Sequence, residues 1–336
     1  MINIKTVKLD NIWITDSRIQ KARRMIIPKI NKSLAHSKIK FDSQDLEHQI
    51  LFRMTTFPET EAFQKLDYIF QEQKAIIEER MKSAKVSPEE FFCFGIKRDE
   101  TSRWYMEWGP NKEELYCVLK KNGKIVERRE VFFREITFER EKLLIKDLIE
   151  NYHYIHCDRC DLKEGMIFGF FLEGRKIPFA VEEVEPCRIS RNYKKGILMI
   201  LNINYHTCAE LTRFYSVPNT PKNIVSILDK LVARALREKG YEWIMTSVMP
   251  TFAKTRATTI AGGIDKPILA KELRLFFFER PDGLWELCVN RKKERLNNPK
   301  IIKNVWKLFP VIEMIKPIKR GLTLNTDKVY FIRHEE

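Results

Sequence analysis

The densest set of potential ligands in this chain is the run Tyr152-His153-Tyr154-Ile155-His156-Cys157-Asp158-Arg159-Cys160. Cys157 and Cys160 offer two thiolates at a spacing with the reach to hold zinc or iron, and His153 and His156 add imidazoles. His206 and Cys208 would complete such a site. The same residues equally suit free buried thiols and packed histidines, because no second close cysteine pair accompanies the first. A different chemistry is open to Glu210, in Ala209-Glu210-Leu211-Thr212-Arg213-Phe214. A carboxylate beside an amine can take the proton that the amine loses on attacking a carbonyl. Its plainer use is a pair with Arg213 or a solvent-facing strand start. A third group, Lys222, Asn223 and Ser226, follows Thr220-Pro221, which reads as a cap and a first helical residue. Unsatisfied N–H groups and the helix dipole there favour an anion.

These groups need elements to hold them, and hydrophobic period supplies the elements. Val131 to Ile136 reads as a strand and Phe138 to Tyr152 as an amphipathic helix with Leu144, Leu148, Ile149 and Tyr152 on one side. A hairpin follows, from Met166 to Leu172, through Glu173-Gly174-Arg175, to Ile177 to Val184. Ile197 to Ile203 reads as β-rich, and Ala209 to Val217 as a strand on which Arg213 shares a face with Leu211 while Glu210 points the other way. Pro221 to Lys239 is expected to be helical, with Ile224, Leu228, Leu231, Val232, Ala235 and Leu236 as its buried stripe. Trp243 to Val248 is the next strand.

Upstream, Asp42 to Lys85 has a helical pattern, and Ser87-Pro88-Glu89-Glu90 reads as a helix start. Trp104 to Trp108 is strand-like. Tyr116 to Leu119 is expected to pair with Lys124 to Val126 across Asn122-Gly123, a strong hairpin signal. Downstream, Leu273 to Glu279 and Leu284 to Val289 read as another hairpin, placed as the last two strands of the same sheet.

The order β-α-β-β-β-α-β between Glu127 and Val248 resembles the GNAT acyltransferase fold. Glu210-Leu211-x-Arg213-Phe214, then Asn223-x-x-Ser226, with Tyr152-His153-Tyr154 after the first helix, is similar to the Mom-like branch, which modifies adenine in phage DNA. The resemblance implies an α/β (α+β) fold, a GNAT-like mixed sheet flanked by helices. It also implies an acyl-CoA donor such as acetyl-CoA, lying between splayed fourth and fifth strands and held by Val217, Lys222, Asn223 and Ser226. The acceptor amine would lie near His153, Tyr154 and Glu210, with a base first flipped out of a duplex or taken from a single strand. Two departures stand out. The loop Pro218-Asn219-Thr220-Pro221-Lys222-Asn223 has no Gly, and Phe252 to Ile260 lacks the Tyr that often protonates the leaving thiolate.

At 336 residues, with 44% hydrophobic and 32% charged side chains, the chain fits a soluble globular protein of two or three domains. We divide it into residues 1–125 (helical and hairpin, of no assigned role), 126–289 (the acyltransferase-like core) and 290–336 (a basic tail). No apolar run approaches a membrane span, and the N-terminus lacks the apolar segment of a secretory signal. Seven cysteines without an export signal suit the reduced cytoplasm. Residues 1–40 hold ten Lys/Arg against two acids and residues 285–336 hold twelve against six, so +14 of the +15 net charge lies at the ends. Basic ends around a near-neutral core suit a nucleic-acid partner, DNA before RNA, with Arg23, Arg24, Arg291, Lys292 and Lys293 on the phosphates. They also suit Lys-rich ends that are merely solvated. Two rivals to a DNA-modifying acyltransferase remain: a protein or small-molecule N-acyltransferase, and a non-catalytic nucleic-acid-binding protein on a decayed scaffold.

Overall fold

Trp104 and Met106 alternate with Arg103, Tyr105 and Glu107, and this period of two makes Ser102–Trp108 a strand, β1, with only the first pair buried. It pairs antiparallel with β2 (Leu115–Lys121), and β2 with β3 (Lys124–Glu135). Asn122 and Gly123, at φ 51° and 79°, form the turn expected of that dipeptide. The computed structural model describes residues 17–37, 41–54, 57–95, 101–152, 163–190, 201–248, the short stretches 194–195 and 198–199, and beyond residue 266 the segments 267–269, 275–279, 285–289, 292–295 and 312–323.

From β3 the chain runs through helix Glu139–Tyr152, strands β4 (Met166–Leu172), β5 (Ala180–Pro186) and β6 (Cys208–Ser216), helix Ile224–Glu238 and strand β7 (Trp243–Val248). That is the β-α-β-β-β-α-β order read from the sequence. The main sheet has the order β1-β2-β3-β4-β5-β6-β7-β12-β8, where β8 is Pro267–Leu269 and β12 is Ile312–Pro317. Every pair is antiparallel except β6–β7, which is parallel. Residues 125 and 126 fall inside β3, a continuous strand of 12 residues, so the N-terminal hairpin is part of the same sheet.

Helices α1 (Ser17–His36), α2 (Ser43–Met54), α3 (Glu59–Gln64) and α4 (Leu66–Ser83) lie before the sheet in the chain. The pattern from Asp42 to Lys85 is broken at Pro58, which cannot donate to a helix interior. Ile26, Ile30, Leu46, Ile50, Leu51, Ile69 and Ile77 form a separate core there. A short helix α5 (Pro88–Phe91) starts on a full capping box, Ser87 with Glu90, as its sequence indicates. The helix Glu139–Tyr152 is α6, and Arg134 of β3 grips its first turn through two bonds to Glu141, 2.9 and 2.7 Å. The helix Ile224–Glu238 is α7, which buries Ile224, Ile227, Leu228, Val232 and Leu236, each worth about 1.5–3 kcal/mol.

Between β4 and its neighbours space is tight at Gly169. A Cβ there would meet side-chain carbons of Phe171 and Pro178 at 3.1 Å and of Ile136 at 3.3 Å. Gly169→Ala is therefore expected to lower stability by about 1–3 kcal/mol, read as a shift in denaturant midpoint.

Three expectations are corrected. Ile197 to Ile203 supplies no strand among the described residues. Asn202 donates to Met199 O at 3.0 Å and Ile203 to Leu198 O at 2.8 Å, and a local turn buries Leu198, Leu201 and Ile203 with Trp243, Met245 and Ile315. The hairpin near 273–289 exists as β9 (Leu275–Glu279) and β10 (Trp285–Val289), but it joins β11 (Lys292–Arg295) in a sheet of its own. The strand beside β7 is β12 instead, from the basic tail, whose Ile315 is fully buried. Helix α7 begins at Ile224 rather than at Pro221, because the Lys222 backbone is already paired with β1.

Candidate functional site

The parallel pairing of β6 with β7 covers Cys208↔Trp243, Ala209↔Ile244, Glu210↔Met245 and Leu211↔Thr246, and there it stops. β6 runs on to Ser216 while still paired with β5. Past Leu211 the β7-side edge of β6 therefore opens into a split. Thr246 Oγ closes the last rung by donating to Leu211 O at 3.0 Å. At the same level the β5–β6 register slips. Glu183 faces Arg213 and Val184 faces Leu211, which leaves Thr212 as an extra residue on β6, its Oγ donating to Glu183 O at 3.2 Å.

This bulge reverses one expectation. Directly opposed residues share a face, so Glu183, Glu185, Glu210 and Arg213 lie on one side of the sheet, and Glu182, Val184, Leu211 and Phe214 on the other. Arg213 shares its face with Glu210, not with Leu211. The inserted residue flips the alternation that an ideal strand would keep.

Glu210 is 9% exposed and stands one residue before the end of the β6–β7 pairing. Its Oε2 accepts from Ser190 Oγ at 2.8 Å, and Lys194 Nζ, also buried, is ion-paired to Oε1. Sequence reasoning identified Glu210 but not these two partners, which come from a segment without a motif. The expected pair with Arg213 is not the one formed: an Arg213 Nη donates to Thr212 O at 2.7 Å.

Beyond the split, Val217 is buried and its N–H donates to Phe179 O at 2.9 Å. Asn219 Nδ2 donates to Gly95 O at 2.6 Å. Lys222 forms an isolated parallel bridge with Tyr105 of β1: its N–H donates to Trp104 O and its carbonyl accepts from Met106 N–H, both at 2.9 Å. The first strand of the sheet thus meets the loop after the sixth. Asn223 caps α7 at φ 69° without a side-chain cap bond, and Ser226 Oγ donates to Asn223 O at 3.0 Å. Lys222 and Asn223 are exposed, Ser226 partly so. Val217 follows β6, Lys222 and Asn223 precede α7, and Ser226 lies in its first turn.

The other candidates are placed differently. His153, Tyr154, Cys157 and Cys160 lie outside the described residues, as does Arg291. Lys292 and Lys293 belong to β11. Arg24 is exposed on α1, whereas Arg23, largely buried, pairs with Glu47 at 2.8 Å. Among the described residues no group of three or more His, Cys, Asp or Glu side chains is suited to a metal ion. His206 stacks against Tyr205 on a short turn, while Cys208 is buried beside Cys187, and burial pushes its thiol well up. Among the described residues no helix is long and apolar enough to cross a membrane.

Under α7 lies a pair that sequence reasoning missed. Glu182 of β5 and Asp229 of α7, 2% and 5% exposed, are hydrogen-bonded to each other. Burial, then the neighbouring carboxylate, holds Glu182 well above the usual range. Burial pushes Asp229 up to about 7, against the opposing effects of the Glu182 hydrogen bond and Lys316. Burial thus favours the protonated form of both carboxyls. Adjacent acids in Ala180-Val181-Glu182-Glu183-Val184, beside buried apolar residues, were the available signal.

No protein-family model and no curated protein matches the chain. Among solved structures it is similar to aminoglycoside acetyltransferase AAC(6')-Ib in complex with coenzyme A and kanamycin, with 11% identity and a TM-score of 0.34 over 56% of this chain and 94% of that one. The same protein in complex with paromomycin and acetyl-CoA gives 11% identity and a TM-score of 0.33 over 57% and 98%. An uncharacterized protein from Bacillus halodurans gives 10% and 0.30 over 62% and 98%.

Proposed function

We propose that the chain is a GNAT-like N-acyltransferase that moves an acyl group from acyl-CoA to an amine. The observation that carries this reading is the split of the sheet's parallel pair after Leu211, with α7 starting just beyond it. Extended backbone freed from its neighbour offers N–H and C=O groups to an amide-containing donor, much as a missing strand would. In this reading the thioester lies in the split beside Arg213 to Ser216, and Lys222, Asn223 and Ser226 hold the donor near α7. The amine nitrogen attacks the thioester carbonyl, the C–N bond forms, and the C–S bond breaks. Glu210 is the proposed acceptor of the amine's proton, directly or through water, with Lys194 and Ser190 fixing its carboxylate. His153 and Tyr154 keep their sequence-derived place near the acceptor.

The acceptor is proposed to be an amine on nucleic acid, a DNA base as in the Mom-like branch, supported by the net charge at the chain's ends. A second reading, a small-molecule or protein amine with the basic ends incidental, is favoured by Arg23, which is ion-paired to Glu47 rather than offered to a phosphate. Mass spectrometry after incubation with acetyl-CoA tests both, using single-stranded DNA in one arm and polyamines in the other. Acylated nucleosides support the first acceptor and acylated polyamines the second. Absence of any acylated product with either removes both of these acceptors and leaves a protein amine or the non-catalytic binding scaffold.

Glu210→Gln keeps a hydrogen-bond acceptor for Ser190 but cannot take a proton. We expect kcat to fall about 10²-fold or more, with donor affinity nearly unchanged, measured on protein verified as folded. Full activity in this variant removes Glu210 from the mechanism.

A further inference from the structure

Part of the backbone in the loop between β6 and α7 is unavailable for holding an anion. Pro218 and Pro221 carry no N–H. The Val217 N–H is engaged by Phe179 O and the Lys222 N–H by Trp104 O. Side chains can supply the positive charge for a phosphate here, and the Lys222 bridge brings a set of them together. Lys222 Nζ lies 5.7 Å from the centre of the Tyr105 ring, and Lys120 Nζ 5.3 Å from it. Arg103 is exposed, stands opposite Lys120 in the β1–β2 register, and sits two residues before Tyr105, so it shares that face. Glu107 is on the same face and is ion-paired to Lys120. Three cations against one carboxylate thus surround a tyrosine next to the first turn of α7.

We propose that Arg103, Tyr105, Lys120 and Lys222 form a phosphate-binding site across the junction of β1 with the β6–α7 loop, holding the nucleotide phosphates of the acyl donor through side chains instead of loop backbone. The identity of the nucleotide rests on the acyltransferase reading; the anion site does not. Arg103 supplies a planar fork of donors and the lysines supply point charges. The Tyr105 hydroxyl donates to an oxygen of the anion. The N-terminal hairpin, to which the sequence assigned no role, becomes part of the donor site.

Calorimetric titration of the full chain with coenzyme A, and separately with inorganic pyrophosphate, tests this. The variants are Arg103→Ala, Lys222→Ala and their double. Lys222 makes its bridge through backbone, so truncating its side chain leaves the fold's contact in place. Each single change is expected to weaken both probes about 5-fold and the double about 30-fold, with affinity falling as salt rises. If coenzyme A binds the wild type and the double variant equally, the site is overturned and the acyltransferase reading survives. If pyrophosphate binding depends on these residues and coenzyme A does not bind, the site stands and the acyltransferase reading falls. Binding of neither probe ends both. Loss of single-stranded DNA binding in the double variant, with coenzyme A unaffected, also overturns the proposal, because the patch then serves a polynucleotide.

Discussion

Lys194→Met is expected to destabilise the protein by about 3 kcal/mol or more, because it leaves the Glu210 carboxylate buried with its charge uncompensated by that ammonium. The side chains are only 5% and 12% exposed, so solvent cannot take the lysine's place. Replacing both partners, Lys194→Met with Glu210→Leu, removes both charges and is expected to recover most of the loss. A double-mutant cycle read from urea midpoints at pH 7 should show coupling of about 2–3 kcal/mol. Coupling below about 0.5 kcal/mol would mean that the ion pair at the foot of the split contributes nothing, and that Glu210 is held some other way.

The acid pair under α7 makes stability fall as pH rises. Asp229 has a folded-state pKa pushed up to about 7, above its ordinary value of 3.8, so the folded protein holds a proton that the unfolded chain has released. The stability this proton provides is full below the unfolded value and is lost as pH climbs through the folded one, with the slope concentrated between about pH 4 and pH 7. Asp229→Asn keeps the shape and removes the titration of that group, leaving the one of Glu182. The variant is expected to match wild type near pH 4 and to exceed it by about 1–3 kcal/mol at pH 8. Lys316 is the cation nearest in effect to both acids, and its attraction limits the size of the change. Equal pH profiles for wild type and Asp229→Asn would show that the Asp229 carboxyl is not held above its ordinary range in the folded state.

Much of the fold was legible because period carries it. The strand-helix-hairpin order from β3 to β7 follows from Val131 to Ile136, the stripe of α6 and the alternation around Gly174, and the structure keeps it. Asn122-Gly123 and the Ser87 capping box work through local chemistry and needed no tertiary context. What escaped depends on contacts distant in sequence. Ile312–Pro317 enters the sheet between β7 and β8 only because Ile315 finds a core with Trp243 and Leu198. The extra residue at Thr212 leaves no trace in hydropathy, yet it decides which side chains share a face with Glu210. Helix α7 starts late because β1, more than a hundred residues earlier, takes the Lys222 backbone. For the candidate site, the helix after β6 and the place of Glu210 on that strand were readable, whereas the first residue of the helix was not. Lys194, Ser190 and the Tyr105 face were not, since each becomes relevant only through pairing.

Hydrogen exchange of backbone amides in the presence and absence of acetyl-CoA examines the split most directly. If the donor lies along the freed edge of β6, amides within residues 212–217 should slow markedly, together with those at the start of α7 near residues 223–227. Strand β4, which belongs neither to the split nor to the proposed phosphate site, should be unchanged. Acetyl-CoA that binds without slowing residues 212–217, or that slows only residues elsewhere, contradicts the placement of the acyl donor between β6 and β7.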